Sequence, residues 1–281
     1  MGTGVTLPTS SSAPPPSWLA SATALMSKFA ADHSLVLKAT ERQLSASFEI
    51  GCLLSLLAAY KSHGYALTLQ NIKDGEFRYL TTPSGNPENF SYVSIKGADG
   101  EFEVRQQVRI ESHVDPDIRF TPDIVVLVKD STIDAATLPE FAAGRRKMFS
   151  VKSHQVVAAH ECKSMNPFPE LMVNFIGMLV AAHSWHPNGS QATKASKGHL
   201  APTLFVGGTA RPIHLKMIEA MERAYALNIV VGMHAGVWKL DRAKNRLRWT
   251  GRGSAAPTPP VVPKRRLTLR TRVDSTEEPT A

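Results

Sequence analysis

The chain has 281 residues, 43% of them hydrophobic, and carries 32 Lys and Arg against 24 Asp and Glu for a formal charge of +8. That apolar content excludes a wholly disordered polypeptide and suffices for one large domain or two small ones, while the basic balance favours a polyanionic partner without choosing between nucleic acid and headgroups. Only two cysteines occur, Cys52 and Cys162, with no CxxC pair, which excludes a disulfide framework or zinc knuckle and fits a reducing, cytoplasmic setting.

Residues 1–16 are rich in Ser, Thr, Pro and Gly, with no basic region running into an apolar stretch; they are expected to be a mobile tail rather than a secretory leader. A long, largely buried helix is predicted over 35–61, where Leu44, Phe48 and Cys52 recur at four-residue steps beside Leu53, Leu56 and Leu57, with Gly64 as a stop. Strands are predicted at 65–70 and 77–80, followed by a polar stretch of turns at 81–100. Further strands are expected at 101–112, 121–128, 154–163, 202–207 and 228–234, with helices at 168–184 and 212–226. No apolar run reaches the roughly 20 residues of a membrane span, so a soluble protein is expected. Residues 251–281 mix prolines with basic and then acidic clusters and read as a second tail. The alternation implies one 17–250 domain of α/β (α+β) class, a mixed sheet with helices on its faces.

Two stretches carry chemistry. "FTPDIVVLV" (120–128) opens an apolar strand on Asp123, and "VVAAHECKSM" (156–165) closes one on Glu161 and Lys163. Ionised groups at the ends of buried strands need a reason, because an unpaired charge removed from water costs several kcal/mol or more. Side chains alternate along a strand, so Glu161 and Lys163 share one face while His160 and Cys162 take the other. Pro122 suits a strand start. If the start of one strand lies beside the end of the other, Asp123, Glu161 and Lys163 converge as two carboxylates and one ammonium. Carboxylate oxygens suit Mg2+ or Mn2+, and a lysine beside such an ion can orient a water or stabilise developing negative charge. The bland alternative is a structural ion pair at the sheet edge, with Asp123 capping a turn.

Pro122-Asp123 followed by apolar residues, then Glu161-Cys162-Lys163 at the end of the next long strand, resembles the PD-(D/E)xK nuclease superfamily, the restriction-endonuclease-like fold. The likeness covers roughly residues 35–235. It implies a helix before a three-stranded meander, with a helix and a further strand after it. It also implies that Asp123 bridges the metal sites, that Glu161 and the main-chain carbonyl of Cys162 complete a metal shell, and that Lys163 acts on the water. Many members place a Glu on the first helix, and Glu49, the only charged residue between Arg42 and Lys61, matches that position. The function implied is a cytoplasmic, Mg2+- or Mn2+-dependent endonuclease acting on nucleic acid, DNA above all, in bacterial restriction or defence, with a homodimer as a common arrangement for cutting both strands. A non-catalytic binding module on the same fold and an RNA-directed nuclease are the competing readings.

Several features bear on that resemblance. Glu161-Cys162-Lys163 is the single Asp/Glu-x-Lys in the chain. A second Pro-Asp, Pro116-Asp117, sits among Asp115 and Arg119 and reads as a polar turn. The spacing from Asp123 to Glu161, 38 residues (161 − 123), exceeds a plain hairpin and implies an insertion over 130–152 with the basic cluster Arg145, Arg146 and Lys147. The Gln-x-x-x-Tyr signature that follows the lysine in the RecB-like branch is absent. His160 reads as a core or surface histidine, and His183 and His186 as helix-end residues. Arg242, Lys244, Arg246 and Arg248 would share one face of a strand and could grip phosphates or simply be solvated. Tail residues Lys264, Arg265, Arg266, Arg270 and Arg272 add non-specific polyanion affinity. "GGTARP" (207–212) lacks a phosphate-loop pattern and turns a strand into a helix.

Overall fold

The computed structural model describes residues 17–35, 44–83, 86–115, 117–135, 149–183, 201–235, 240–243 and 246–249, all within one compact unit, Met1–Gly251. Arg145, Arg146, Lys147, His186 and both tails lie outside the described residues. Among the described residues two helices come first, α1 (Ser17–Asp32) and α2 (Leu44–Ser62). These are followed by β1 (Ala66–Gln70), β2 (Tyr92–Gly97), β3 (Gly100–Gln106), β4 (Arg109–Glu111), β5 (Arg119–Phe120), β6 (Ile124–Val128), β7 (Asp134–Ala135), β8 (Phe149–Lys152) and β9 (Val156–Lys163). Helix α3 (Pro169–His183), β10 (Thr203–Val206), α4 (Pro212–Ala224), β11 (Asn228–Val230) and the antiparallel partners β12 (Leu240–Ala243) and β13 (Arg246–Trp249) come last.

Seven strands form the main sheet in the order β1-β2-β3-β6-β9-β10-β11. Pairing is antiparallel from β1 to β9 and parallel from β9 to β11. The parallel part follows from connectivity, since α3 and α4 carry the chain back between successive strands as crossover helices. A four-stranded sheet, β5-β4-β8-β7, is built from the segments flanking β6.

Both faces of the main sheet are covered. Ile124, Val126, Ala158 and Cys162 pack in one cluster with Trp18 and Ala22 of α1 and with Phe48, Cys52 and Leu56 of α2. Val125, Leu127, Ala159 and Leu204 pack in another with Leu171, Met172 and Phe175 of α3, Ile218 of α4, and Ile110 and Val151 of the small sheet. The expected class, a mixed α/β sheet with helices on its faces, is what the chain forms. Helix α2 is apolar nearly all round because it is wrapped by α1 on one side and the sheet on the other.

A bulge adjusts β9. Val126 pairs with Ala158 but Leu127 pairs with Val156, leaving Val157 as the extra residue. Val157 and Ala158 therefore both pack toward α1 and α2. Beyond the bulge the alternation is regular to Lys163, which keeps Glu161 and Lys163 on one face.

Some predicted boundaries are corrected. Residues 77–80 are not a strand: Phe77 and Leu80 are buried, yet the Arg78 N–H is satisfied by Ser91 Oγ at 2.9 Å rather than by a ladder. The stretch 81–100 contains β2 and the start of β3. The expected strand 101–112 is two strands in two sheets, β3 and β4, broken at Gln107 (φ +51°). Residues 17–32, given no element from sequence, form α1. Arg242 lies on β12 and Arg246 and Arg248 on β13, two antiparallel partners rather than one strand, and Lys244 lies outside the described residues. Among the described residues no helix is long and apolar enough to cross a membrane.

Candidate active site

Three ends of the central strands meet at one end of the main sheet: the end of β3, the residue preceding β6 and the end of β9. Asp123 stands just before Ile124, the first residue of β6, and its main-chain carbonyl accepts from Gln107 N–H at 3.2 Å. The last ladder pair between β6 and β9 is Ile124–His160. Two residues further on, Cys162 N–H finds no ladder partner on β6 and donates to Asp123 Oδ2 at 2.7 Å. The carboxylate completes the pairing where Pro122 begins the strand, so its orientation is fixed by a main-chain donor.

Lys163 lies between the two predicted acids. Its Nζ is 2.6 Å from Glu161 Oε2 and 3.4 Å from Asp123 Oδ2. The Asp123 and Glu161 side chains are only 11% and 13% exposed, whereas Lys163 is 34% exposed. Solvent therefore reaches the cluster along the lysine. Asp123, Glu161 and Lys163, 40 positions apart from first to last (163 − 123), converge as the alternation and the strand-end placement predict.

Glu49 joins them from α2 through a residue that the sequence did not single out. Gln107 Nε2 donates to Asp123 Oδ1 at 3.0 Å and to Glu49 Oε2 at 3.2 Å. An amide nitrogen has two hydrogens, so one group can serve both acids. Gln107 is buried and adopts φ +51°, a left-handed conformation costly for a residue with a Cβ. The β3–β4 break thus coincides with the position that ties Glu49 to Asp123. The sequence signal was faint: two consecutive glutamines, Gln106 and Gln107, in an otherwise strand-like run.

The backbone strain at Gln107 has a measurable consequence. Gln107→Ala and Gln107→Gly both remove the bridging amide, but only glycine relieves the left-handed φ. The glycine variant is expected to be the more stable by roughly 1 kcal/mol in urea unfolding.

The electrostatics follow from the crowding of acids. Burial, and then the neighbouring Asp123, push the Glu49 carboxyl up to about 8, against which the Gln107 amide and Lys163 act only partly. Burial and Asp123 likewise raise Glu161 above the ordinary carboxylate range, with Lys163 opposing. Burial works against the charge of Lys163, but Asp123 and Glu161 outweigh it and hold the ammonium above its ordinary range. Burial is the larger cause of the rise at Glu49 and Glu161, and the crowding of three acids around one ammonium adds to it.

This donor set fits a hard divalent cation: carboxylate oxygens of Asp123 and Glu161 at a partly open sheet end, with Glu49 behind them. Among the described residues no three His, Cys, Asp or Glu side chains form a ready-made cation cage. Lys163 Nζ and Gln107 Nε2 stand between the acids, so a cation would enter by displacing the ammonium toward solvent. The Cys162 thiol does not belong to the donor set. It lies in the core against Cys52, both buried, and burial pushes both thiols up.

Other predicted residues sit elsewhere. His160 is fully buried, with its ring stacked 6.0 Å from Phe205, a core position as expected. Asp117 lies in the turn before β5, its N–H bonded to Asp115 Oδ1 at 2.9 Å, and takes no part in the cluster. His183 ends α3. Gly207 and Gly208 do connect a strand to a helix, between β10 and α4.

Compared with known proteins, the chain matches no family model, no curated protein and no solved structure.

Proposed function

We propose that the protein is a metal-dependent nuclease of the PD-(D/E)xK type that hydrolyses phosphodiester bonds in DNA. The observation that carries this reading is the convergence of Asp123, Glu161 and Lys163 at one sheet end, with Glu49 tied in by Gln107. Asp123 and Glu161 are the residues that would hold Mg2+ or Mn2+, with the Cys162 carbonyl, and Glu49 would act on the same site from behind. A divalent ion bound there supplies charge neutralisation at the phosphate and makes water a stronger nucleophile. Lys163, more exposed than Asp123 and Glu161 and freed from these acids, orients the attacking water and stabilises the charge that builds on phosphate. Gln107 keeps Asp123 and Glu49 at a fixed separation throughout. A two-fold dimer would present two such sites to the antiparallel strands of a duplex, and a reducing cytoplasm suits two free buried thiols.

The ion pairing itself favours one other reading, in which Lys163 neutralises two acids in a structural cluster on a non-catalytic nucleic-acid- or protein-binding module. The deciding experiment offers supercoiled plasmid, linear duplex, single-stranded DNA and RNA with Mg2+, Mn2+ or EDTA. Cleavage of DNA that EDTA abolishes is the expected result, and preferential cleavage of RNA would redirect the substrate assignment. No cleavage of any of the four, by folded protein that binds the ion, would favour the binding module.

A further inference from the structure

Just beyond Lys163 the chain is laced to two other strand ends. The Lys163 carbonyl accepts from Gly207 N–H at 2.9 Å, and the Met165 carbonyl accepts from Gly208 N–H at 2.8 Å. The Gly207 carbonyl in turn accepts from His234 N–H at 2.8 Å, and the Gly208 carbonyl from Gly232 N–H at 2.9 Å. Ser164 Oγ and His234 Nε2, 3.1 Å apart, close the circuit. The glycines are required by close approach. A Cβ on Gly207 would overlap the His234 ring, and one on Gly208 would overlap the Asn166 side chain and stand 2.6 Å from its Cα.

The His234 ring is held from its other sides as well. The Trp18 indole stacks on it at 4.9 Å with planes 9° apart, and Phe48 meets it edge-on at 5.3 Å and 82°. Phe48 is the neighbour of Glu49 on α2. Burial holds the imidazole below its ordinary range.

Lys163 needs such a support. Its strand has lost β6 as a partner after the Ile124–His160 pair, and only β10, at Val206, still pairs beside it. A flexible four-carbon side chain on a one-sided strand end is poorly placed to hold a reacting water, and errors of about 1 Å in such placement cost on the order of a hundredfold in rate.

We infer that His234 is a positioning residue for Lys163, fixing the end of β9 through Ser164 and Gly207 while Trp18, Phe48 and Gly207 lock its own ring. The inference rests on the catalytic reading of Lys163, and its test separates the two. His234→Phe keeps an aromatic ring against Trp18 and Phe48 but removes the bond to Ser164; Ser164→Ala removes the same bond from the other side. Each single variant is expected to lower kcat for plasmid cleavage tenfold or more with KM within twofold, the double variant being no worse than the worse single. His234→Gln, which restores a hydrogen-bonding group, is expected to recover part of the loss. Amide hydrogen exchange at Gly207 and Cys162 should quicken in both single variants while Tm stays within a few degrees.

Unchanged kcat in Ser164→Ala, or strictly additive losses in the double variant, would overturn the inference. If the wild-type protein cleaves nothing, the nuclease reading fails by itself and the exchange arm decides alone. Faster exchange at Cys162 then upholds His234 as the support of this strand end, and unchanged exchange removes it.

Discussion

Lys163→Ala and Asp123→Asn are each expected to lower metal-dependent cleavage by at least about a hundredfold, the range that loss of a positioned catalytic group produces. They should differ in metal binding. Asp123 supplies Oδ1 to Gln107 and Oδ2 to the Cys162 amide and Lys163, so its oxygens are both ligands and framework. Its amide analogue retains the shape but forfeits the charge, and Mg2+ affinity should fall with the rate. Lys163 competes with a cation for the same two acids. Its removal should leave Mg2+ affinity unchanged or tighter while cleavage is lost. Without cation, Lys163→Ala also removes the ammonium that opposes the raised Glu161 carboxyl, which should rise further. Titration calorimetry with Mg2+, run beside the plasmid assay, checks both halves. Equal loss of metal affinity in the two variants would mean that Lys163 is a structural partner of the acids. Wild-type cleavage rates in both would dismiss the cluster as the catalytic centre.

The parts of this cluster legible in the sequence are those fixed by local rules. Alternation along a strand placed Glu161 and Lys163 together and sent Cys162 into the core, and Pro122 marked where β6 begins. Glu49 stood out because a single charge on a helix apolar nearly all round has to face something polar. What the sequence hid depends on partners far along the chain. Tyr92–Gly97 forms a strand because β1 and β3 flank it, although Ser94, Lys96 and Gly97 read as loop residues. Gln107 breaks β3 from β4 with neither Gly nor Pro to announce it. Its conformation is set by the bonds its amide makes to Glu49 and Asp123, 58 and 16 residues away. Gly207 and Gly208 were readable as a turn, but the reason for both glycines is the crowding of His234 and Asn166 against them. The bulge at Val157, which resets the phase of β9, leaves no mark in a run of Val and Ala.

The second large effect concerns how metal and proton compete for the same acids. Mg2+ binding to the native protein alone should stabilise it by about 2.7 kcal/mol at a hundredfold excess over Kd, a rise of roughly 5–10 °C in Tm for a domain of this size. Asp123→Asn should remove most of that rise. Without metal, the raised carboxyls make stability depend on pH with a definite sign. Glu49 binds its proton more tightly in the folded chain, at about 8, than in the unfolded chain, near the ordinary 4.5, and Glu161 is raised in the same direction. Between those values the folded state carries more protons than the unfolded state, so the stability present at low pH is lost as pH climbs toward 8. Lys163, raised above its ordinary 10.5, keeps its charge throughout this window and contributes no slope there. A divalent cation supplies the positive charge that the acids lack and displaces their protons, so the metal-loaded protein should lose this slope. Thermal unfolding in EDTA from pH 5 to 9 should therefore show a falling Tm, flattened by Mg2+ and made shallower in its absence by Glu49→Gln, with Glu161 supplying the remaining slope. A Tm that rises with pH in EDTA, or an Mg2+ shift that survives Asp123→Asn, would mean that these acids already have their counter-charge within the protein and that any cation is held elsewhere.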